Sequence, residues 1–315
     1  MGVSDAVAEH VPVLLPEVIA GLDVSPGDVI IDGTVGLGGH AEAILRASAP
    51  DGRLLGLDVD PLALGRARER LHPFGERVVL ARGNFAGLEQ TAAAHGFAAV
   101  DGLLLDLGVS SLQLGAGGRG FSFQHEAALD MRMDPSLNRT AADFVNGLSE
   151  AELAGLLFQY GEEPRARRIA GAIVRGRPLS TTTALATVVR AACGGSGARM
   201  NPATRTFQAL RIAVNGELER LPLALAASLR LLRPGGRLAV ISFHSLEDRI
   251  VKQFLREQST DCICPPTLPV CACSHRATLR VVTHRAITPS TREIAVNSRS
   301  RSARLRVAEI LSNPA

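Results

Sequence analysis

Lysine is nearly absent from this chain: among 34 basic residues in a length of 315, one is a lysine, Lys252. Paired ammonium groups, one means of activating a hydroxyl, are therefore excluded. Long apolar runs are missing as well. Nothing approaches the ~20 residues that a helix needs to cross a bilayer, so no helical membrane span is expected. The opening MGVSDAVAEH holds neither a basic nor an apolar signal segment, and Ala6 stands where acylation of Gly2 would want Ser or Thr. A cytoplasmic protein without a membrane partner is expected. Cysteine is scarce at five residues, and none lies between Asp106 and Leu114, which excludes a thiol nucleophile from that stretch.

What is present is a chain long enough for a substantial core, 46% hydrophobic. Its first 110 residues alternate short β-rich apolar runs with helical segments, the sign of a parallel α/β sheet. Strands are read at 28–32, 53–60, 77–85 and 100–108, apolar on both faces, so helices should cover both sides of the sheet. Pro61 opens a helix at a favourable first position. The alternation then stops. From Gln113 to Asn215 only loop and helix are read, with capping-box spacing at Thr140/Asp143 and Ser149/Glu152. Asn201 and Pro202 start a last helix running through PATRTFQALRIAVNGELERL. LRPGG reads as a turn, then RLAVISF (237–243) as a fifth strand, a helix behind it, and TLRVVTH and ARLRVAEI as a closing pair. An α/β domain formed by 1–112 and 216–315 is thus split by a helical insertion, 113–215.

Ligands of open α/β sheets bind beyond the carboxyl ends of the strands. There the sequence places Asp32 and a glycine-rich turn with Gly33, Gly36, Gly38, Gly39 and His40. Asp58 and Asp60 follow the second strand, Asn84 and Phe85 the third, Asp106 the fourth, and Ser242, Phe243 and His244 the fifth. Glycine turn plus acid resembles a dinucleotide fingerprint, but the turn departs from G-x-G-x-x-G. A pyrophosphate also wants a helix N-terminus free of carboxylates, and Asp32 and Asp106 flank this one. The acids suit a phosphate-free cofactor with a positive centre, S-adenosylmethionine. The turn's backbone would receive its amino-acid end, Asp58 its ribose hydroxyls and Phe85 its adenine, with the sulfonium between acids.

The motifs HVPVLLPEV, DGTVGLGGH, LDLGVSSLQL, RGFSF, LDMRMD, NPATRTFQALRIAVN and ISFHSLEDRIVK resemble the bacterial small-subunit ribosomal RNA cytosine-N(4) methyltransferase family from about residue 10 to 310. The resemblance implies a class I methyltransferase (Rossmann-like) sheet with an inserted all-helical, RNA-recognising subdomain after the fourth strand. It implies S-adenosylmethionine as donor and, as substrate, the 4-amino group of a cytidine in small-subunit (16S) ribosomal RNA near the decoding centre, on the assembled subunit. By motif position the cofactor contacts are Gly38, Gly39, His40, Asp58, Phe85, Asp106 and Gln113. Asp106 would align the poorly nucleophilic amine, Ser110 and Ser111 would bond the base edge, and Phe243 and His244 would form the other wall of the base pocket. Methylation at an exocyclic amine needs neither the cysteine nor the lysines missing here. The rivals are another RNA methyltransferase, a nicotinamide-dependent reductase and a non-catalytic ribosome-assembly factor.

Two features stand outside that frame. Cys262, Cys264, Cys271 and Cys273 form two C-x-C pairs; a reduced, unligated loop is the favoured reading and zinc the alternative, so no metal ligand is assigned. Cys193 reads as buried filler. Between His275 and Arg306 eight arginines accompany one acid, Glu293, either an RNA-facing strip or a result of arginine-rich composition. In the insertion, Arg119, Arg132, Arg205 and Arg211 are candidates for phosphate contacts.

Overall fold

The computed structural model describes residues 11–115, 118–194, 201–265, 267, 268 and 270–312, so the calls on Gly2 and Ala6 lie outside it, as does the side chain of Ser111. The chain forms two compact units, one running to Gly108 and resuming at Glu219, the other Val109–Leu218.

The first unit opens with α1 (Leu15–Leu22), then alternates β1 (Val29–Asp32), α2 (Gly39–Ala47), β2 (Arg53–Asp58), α3 (Pro61–Leu71), β3 (Val78–Arg82), α4 (Leu88–Ala94) and β4 (Val100–Asp106). Pro61 does start α3, and the Asp60 carboxylate caps it by accepting from Leu62 N. The sheet order is β3-β2-β1-β4 extended by β5 (Leu232–Ser242), β7 (Arg304–Ile310) and β6 (Leu279–Val281). Its first five strands are parallel; β7 runs antiparallel to both neighbours. Both faces are buried, as the continuous apolar runs require. Ile31, Leu55, Leu103, Leu105 and Val240 belong to one core cluster, and Ile30, Leu54, Leu104, Ala239 and Ile241 to another.

The LRPGG turn lies inside β5. Val100 pairs with Leu232 but Gly102 pairs with Arg237, so the intervening residues loop out as a bulge. A Cβ on Gly236 would come 3.0 Å from the Val100 carbonyl oxygen, which explains a glycine there.

The second unit holds α5 (Ser111–Gly115), α6 (Ala141–Gly147), α7 (Glu150–Gly161), α8 (Ala166–Arg175), α9 (Thr182–Cys193) and α10 (Ala203–Asn215). Both capping boxes form: Thr140 and Ser149 each accept from, and are bonded back by, Asp143 and Glu152. The core, with Leu153, Leu157, Ile169, Val189, Phe207 and Leu210, belongs to this unit. The long last helix of the sequence reading is two helices. Gly216, at φ 58°, stops α10, and α11 (Glu217–Leu231) starts after it. Helix α12 (Ser245–Gln258) follows β5, and α13 (Thr291–Val296) precedes β7.

The four arginines considered for phosphate contacts are engaged inside this unit. Arg119 donates to the carbonyls of Arg132 and Met133. Arg132 grips Asp130 through Nε at 2.7 Å and Nη2 at 2.8 Å. Arg205 donates to the Glu162 carbonyl, and Arg211 forms a two-pronged pair with Glu217. Arg119, Arg132 and Arg211 are already forked onto carboxylates and carbonyls and serve the fold, against the expectation that they meet phosphates, whereas Arg205 makes a single bond among the described residues.

Candidate active site

The sheet reverses direction of growth between β1 and β4, and ligands of such sheets enter at that point. The ends of these two strands carry Asp32 and Asp106. Thr34 joins them: its hydroxyl accepts from Asp106 N at 2.6 Å and bonds the Asp32 carboxylate. The turn after β1 is fixed by backbone bonds, Gly33 N to Leu104 O and Val35 N to Leu57 O. Gly36 N then donates to Asp58 Oδ2 at 2.9 Å, and Asp60 N to Asp58 Oδ1 at 2.9 Å. Asp58 therefore ties the glycine turn to the end of β2.

Gly38 has φ 79° and caps α2 with no side chain over the helix terminus. A Cβ on Gly33 would come 2.7 Å from Leu105 and 3.7 Å from Phe85; one on Gly39 would come 2.4 Å from Pro12. The N-terminus of α2 thus opens without a side-chain cap. Phe85 is half-buried beside Gly33.

The electrostatics are lopsided. Burial pushes the Asp32 carboxyl up to about 7, with Asp58 adding to it, and pushes Asp58 up to about 6. Burial raises Asp106 well above the usual carboxylate range, and the charges of Asp32 and Glu247 raise it further. No basic side chain is among the groups that shift any of the three. His40, 6% exposed, places Nδ1 3.5 Å from Asp106 Oδ2 and is anchored through Nε2 to Val13 O at 2.9 Å. Asp106 Oδ1 is buried with no hydrogen-bond partner among the described residues. A buried acceptor without a donor is costly, and it marks where a ligand's donor or positive charge belongs.

Past β5, Phe243 lies against Gly108, which has φ 100°; a Cβ there would approach the ring at 3.4 Å. His244 caps α12, its Nδ1 accepting from Glu247 N, while Glu247 Oε2 accepts from Phe243 N and His244 N. Its Nε2 sits 3.1 Å from Glu247 Oε1 without a hydrogen bond. Thr34 and Glu247 were not picked out from sequence. Glu247 had a signal, since three residues after a helix-opening His it completes a capping box; Thr34 looks like any turn residue.

Ser110 and Gln113 belong to the second unit. They form a reciprocal pair opening α5: Ser110 N donates to Gln113 Oε1 at 3.0 Å, and Gln113 N to Ser110 Oγ at 3.3 Å.

The residues fit S-adenosylmethionine. An orphaned carboxylate oxygen, and three acids paired with no arginine or lysine among the described residues, favour a sulfonium, and the uncapped N-terminus of α2 favours its carboxylate. Asp58 ends β2, and Phe85 follows β3. A dinucleotide's pyrophosphate would meet the same acids as a like charge.

Comparison with known proteins agrees. The pattern of the MraW methylase family matches residues 7–311. Proteins named ribosomal RNA small subunit methyltransferase H are similar throughout. That of Syntrophotalea carbinolica is 55% identical, covering 95% of this chain and 97% of its own. That of Thermomicrobium roseum is 53% identical, covering 96% and 94%, and one from Dehalococcoides mccartyi is 53% identical, covering 97% and 87%. With its sheet order, its acid-lined glycine turn and this likeness over nearly its whole length, the chain belongs to the MraW methylase family, S-adenosylmethionine-dependent methyltransferases of class I fold.

Proposed function

We propose that the cluster at the ends of β1, β2 and β4 is where a cytidine of small-subunit (16S) ribosomal RNA, near the decoding centre, receives a methyl group on its 4-amino nitrogen. The observation that carries this reading is the unpartnered, buried Asp106 Oδ1 among three further acids.

S-adenosylmethionine supplies a methyl carbon on positive sulfur; the new N–C bond forms as the S–C bond breaks, leaving a neutral thioether. The amine's lone pair is delocalised into the ring, so its alignment matters. Asp106 accepts an N–H of the amine and holds that lone pair toward the methyl group. Next to a positive charge Asp106 and Asp32 are ionised. Once the charge at sulfur is gone, nothing offsets the desolvation of Asp106. Its proton affinity climbs, and it takes the proton released by the methylated nitrogen. His40 and Thr34 hold the carboxylate in place through Oδ2 and the backbone. Phe243 offers a flat wall to the base, and Gly108 keeps the space over the ring open. Gly38, Gly39, Asp58 and Phe85 hold the donor. By motif position Ser110 and Ser111 are assigned to the base edge and Gln113 to the donor. His244 sets the entry angle of α12 and hence the pose of Phe243.

RNA contact is assigned to the arginines near the C-terminus. Arg304 and Arg306 are bound to Asp248, and Arg280 to Glu309. Arg276, Arg285, Arg292, Arg299 and Arg301 are exposed, and none is in an ion pair among the described residues. The insertion recognises the folded RNA by shape, which fits an assembled subunit as substrate. A ribosomal substrate places the reaction in the cytoplasm; no helix is long and apolar enough to cross a membrane among the described residues.

The test is transfer of labelled methyl to small subunits lacking the modification, followed by nucleoside analysis. Labelled N(4)-methylcytidine is expected. Label on ribose or on ring carbon would refute the target, and donor binding without transfer to subunits or naked RNA would favour an assembly factor.

A further inference from the structure

Among the described residues of the segment between α12 and β6, none is fully buried. Ile263, Leu268 and Val270 are exposed, Val270 to 75%, and Cys262 and Cys271 are exposed with Cys264 and Cys273 half-buried. Reduced cysteine is among the most buried of residues, so packing does not account for four of them on such a loop. Yet the loop is closely organised. Its base is closed by Thr278 N donating to Gln258 O at 2.8 Å, Ala277 N to Asp261 Oδ1 at 3.1 Å, and the His275 ring to Glu257 O at 2.9 Å.

Above that base the four sulfurs converge, all within 4.8 Å of one another. Cys271 Sγ lies 3.6 Å from Cys273 Sγ, which lies 3.9 Å from Cys262 Sγ. Disulfide-bonded sulfurs would stand at ~2.05 Å. A tetrahedron of thiolates around zinc, with Zn–S at ~2.3 Å, has an S–S edge of ~3.8 Å. The backbone supports thiolate charge in a reciprocal way: Ile263 N donates to Cys273 Sγ at 3.5 Å, and Ala272 N to Cys264 Sγ at 3.4 Å. Each C-x-C arm thus offers a backbone N–H to a sulfur of the other arm.

We propose that Cys262, Cys264, Cys271 and Cys273 bind one zinc ion in a closed tetrathiolate site that folds the α12–β6 loop. With four protein ligands the ion has no open position, so its role is structural. It also stands at the far end of α12 from Phe243 and Glu247, ~20 Å along a helix of 14 residues. Binding displaces the thiol protons, and no redox change is involved. The proposal takes the zinc alternative in place of the unligated loop favoured from the sequence. The C-x-C spacing differs from the usual C-x-x-C clamp because each pair sits on one arm of a loop and the arms face each other.

The test uses the full chain purified without chelator. Elemental analysis should give one zinc per chain, falling to background in C264S and C273S. Cobalt exchanged into the wild type should give the intense visible bands of a tetrahedral tetrathiolate. Because loss of a ligand can also unfold the loop, a measurement on the unaltered chain stands beside the serine variants: zinc should protect four thiols from alkylation, and a chelator should expose them. No metal in the unaltered chain, iron in place of zinc, or mass-spectrometric evidence of disulfides among the four in freshly lysed cells would overturn the proposal.

Discussion

Two places in the molecule treat charge in opposite ways. In Val109–Leu218 Asp130 is matched by Arg132 and Glu217 by Arg211, each through two guanidinium nitrogens. Arg132 holds the Asp130 carboxyl below its usual range. At the strand ends of the other unit Asp32, Asp58 and Asp106 are all pushed upward, and no arginine comes to meet them. The chain is rich in arginine, so the supply is not the constraint. A fold that pairs its acids in one place and withholds the cation in another leaves that second place to a cationic ligand.

The sharpest test replaces the orphan acid. Asp106→Asn keeps the shape and removes the proton acceptor, and kcat should fall by about 10²–10⁴ fold. The apoprotein should be no less stable to urea, since a repelled carboxylate is gone. In the second unit the same logic has the other sign. Arg211→Ala leaves Glu217, whose side chain is 9% exposed, without its partner, and should cost about 3 kcal/mol in urea titration. If Arg211→Ala instead left stability untouched while weakening RNA binding, the contrast between the units would fail. Among exposed arginines, removing both Arg299 and Arg301 should leave stability alone and make the salt dependence of RNA binding shallower by about two in log–log slope.

Much of this was legible in the sequence, for identifiable reasons. β1, β2 and β4 announce themselves because a strand buried on both faces is a continuous apolar run, and the acids that end those runs are conspicuous against them. Thr140, Ser149 and Pro61 declare helix starts through local chemistry that does not depend on the rest of the fold. What stayed hidden depends on partners distant in the chain. Helix α1 is too short to show a period. Arg132 and Arg211 are indistinguishable in sequence from phosphate-binding arginines until Asp130 and Glu217 are seen forked onto them. Thr34 gains its meaning from Asp106, 72 residues away. The four cysteines are visible as pairs, but only the hairpin of the loop shows that the pairs converge.

The raised acids also predict how pH acts. A carboxyl whose folded pKa exceeds its unfolded value contributes stability that is complete below the unfolded pKa and disappears as pH rises through the folded one. For Asp32 that interval runs from the usual value of 3.8 to about 7. The apoprotein's Tm should therefore decline across pH 5 to 7 so far as these acids control it. A cation favours the ionised forms, so the rise in Tm that S-adenosylmethionine gives should grow over the same interval, with protons released on binding. S-adenosylhomocysteine, whose sulfur is neutral, should show a flatter dependence. Equal pH profiles for the two would mean that the acids do not face the sulfonium.

The smallest expected effect separates backbone from ligand. Gly216 stops α10 at φ 58° and lets α11 begin at once, and that conformation burdens any residue with a Cβ. Gly216→Ala should cost about 1 kcal/mol in chemical denaturation, with methyl transfer unchanged under saturating donor and substrate. Asn tolerates this conformation better than Ala, so Gly216→Asn should recover part of the loss. That ordering, Gly above Asn above Ala, follows from backbone strain alone. If Ala matched Gly, α10 and α11 would be free to join into the single helix that the sequence pattern suggests, and Glu217 would no longer be held by the turn that brings it back to Arg211.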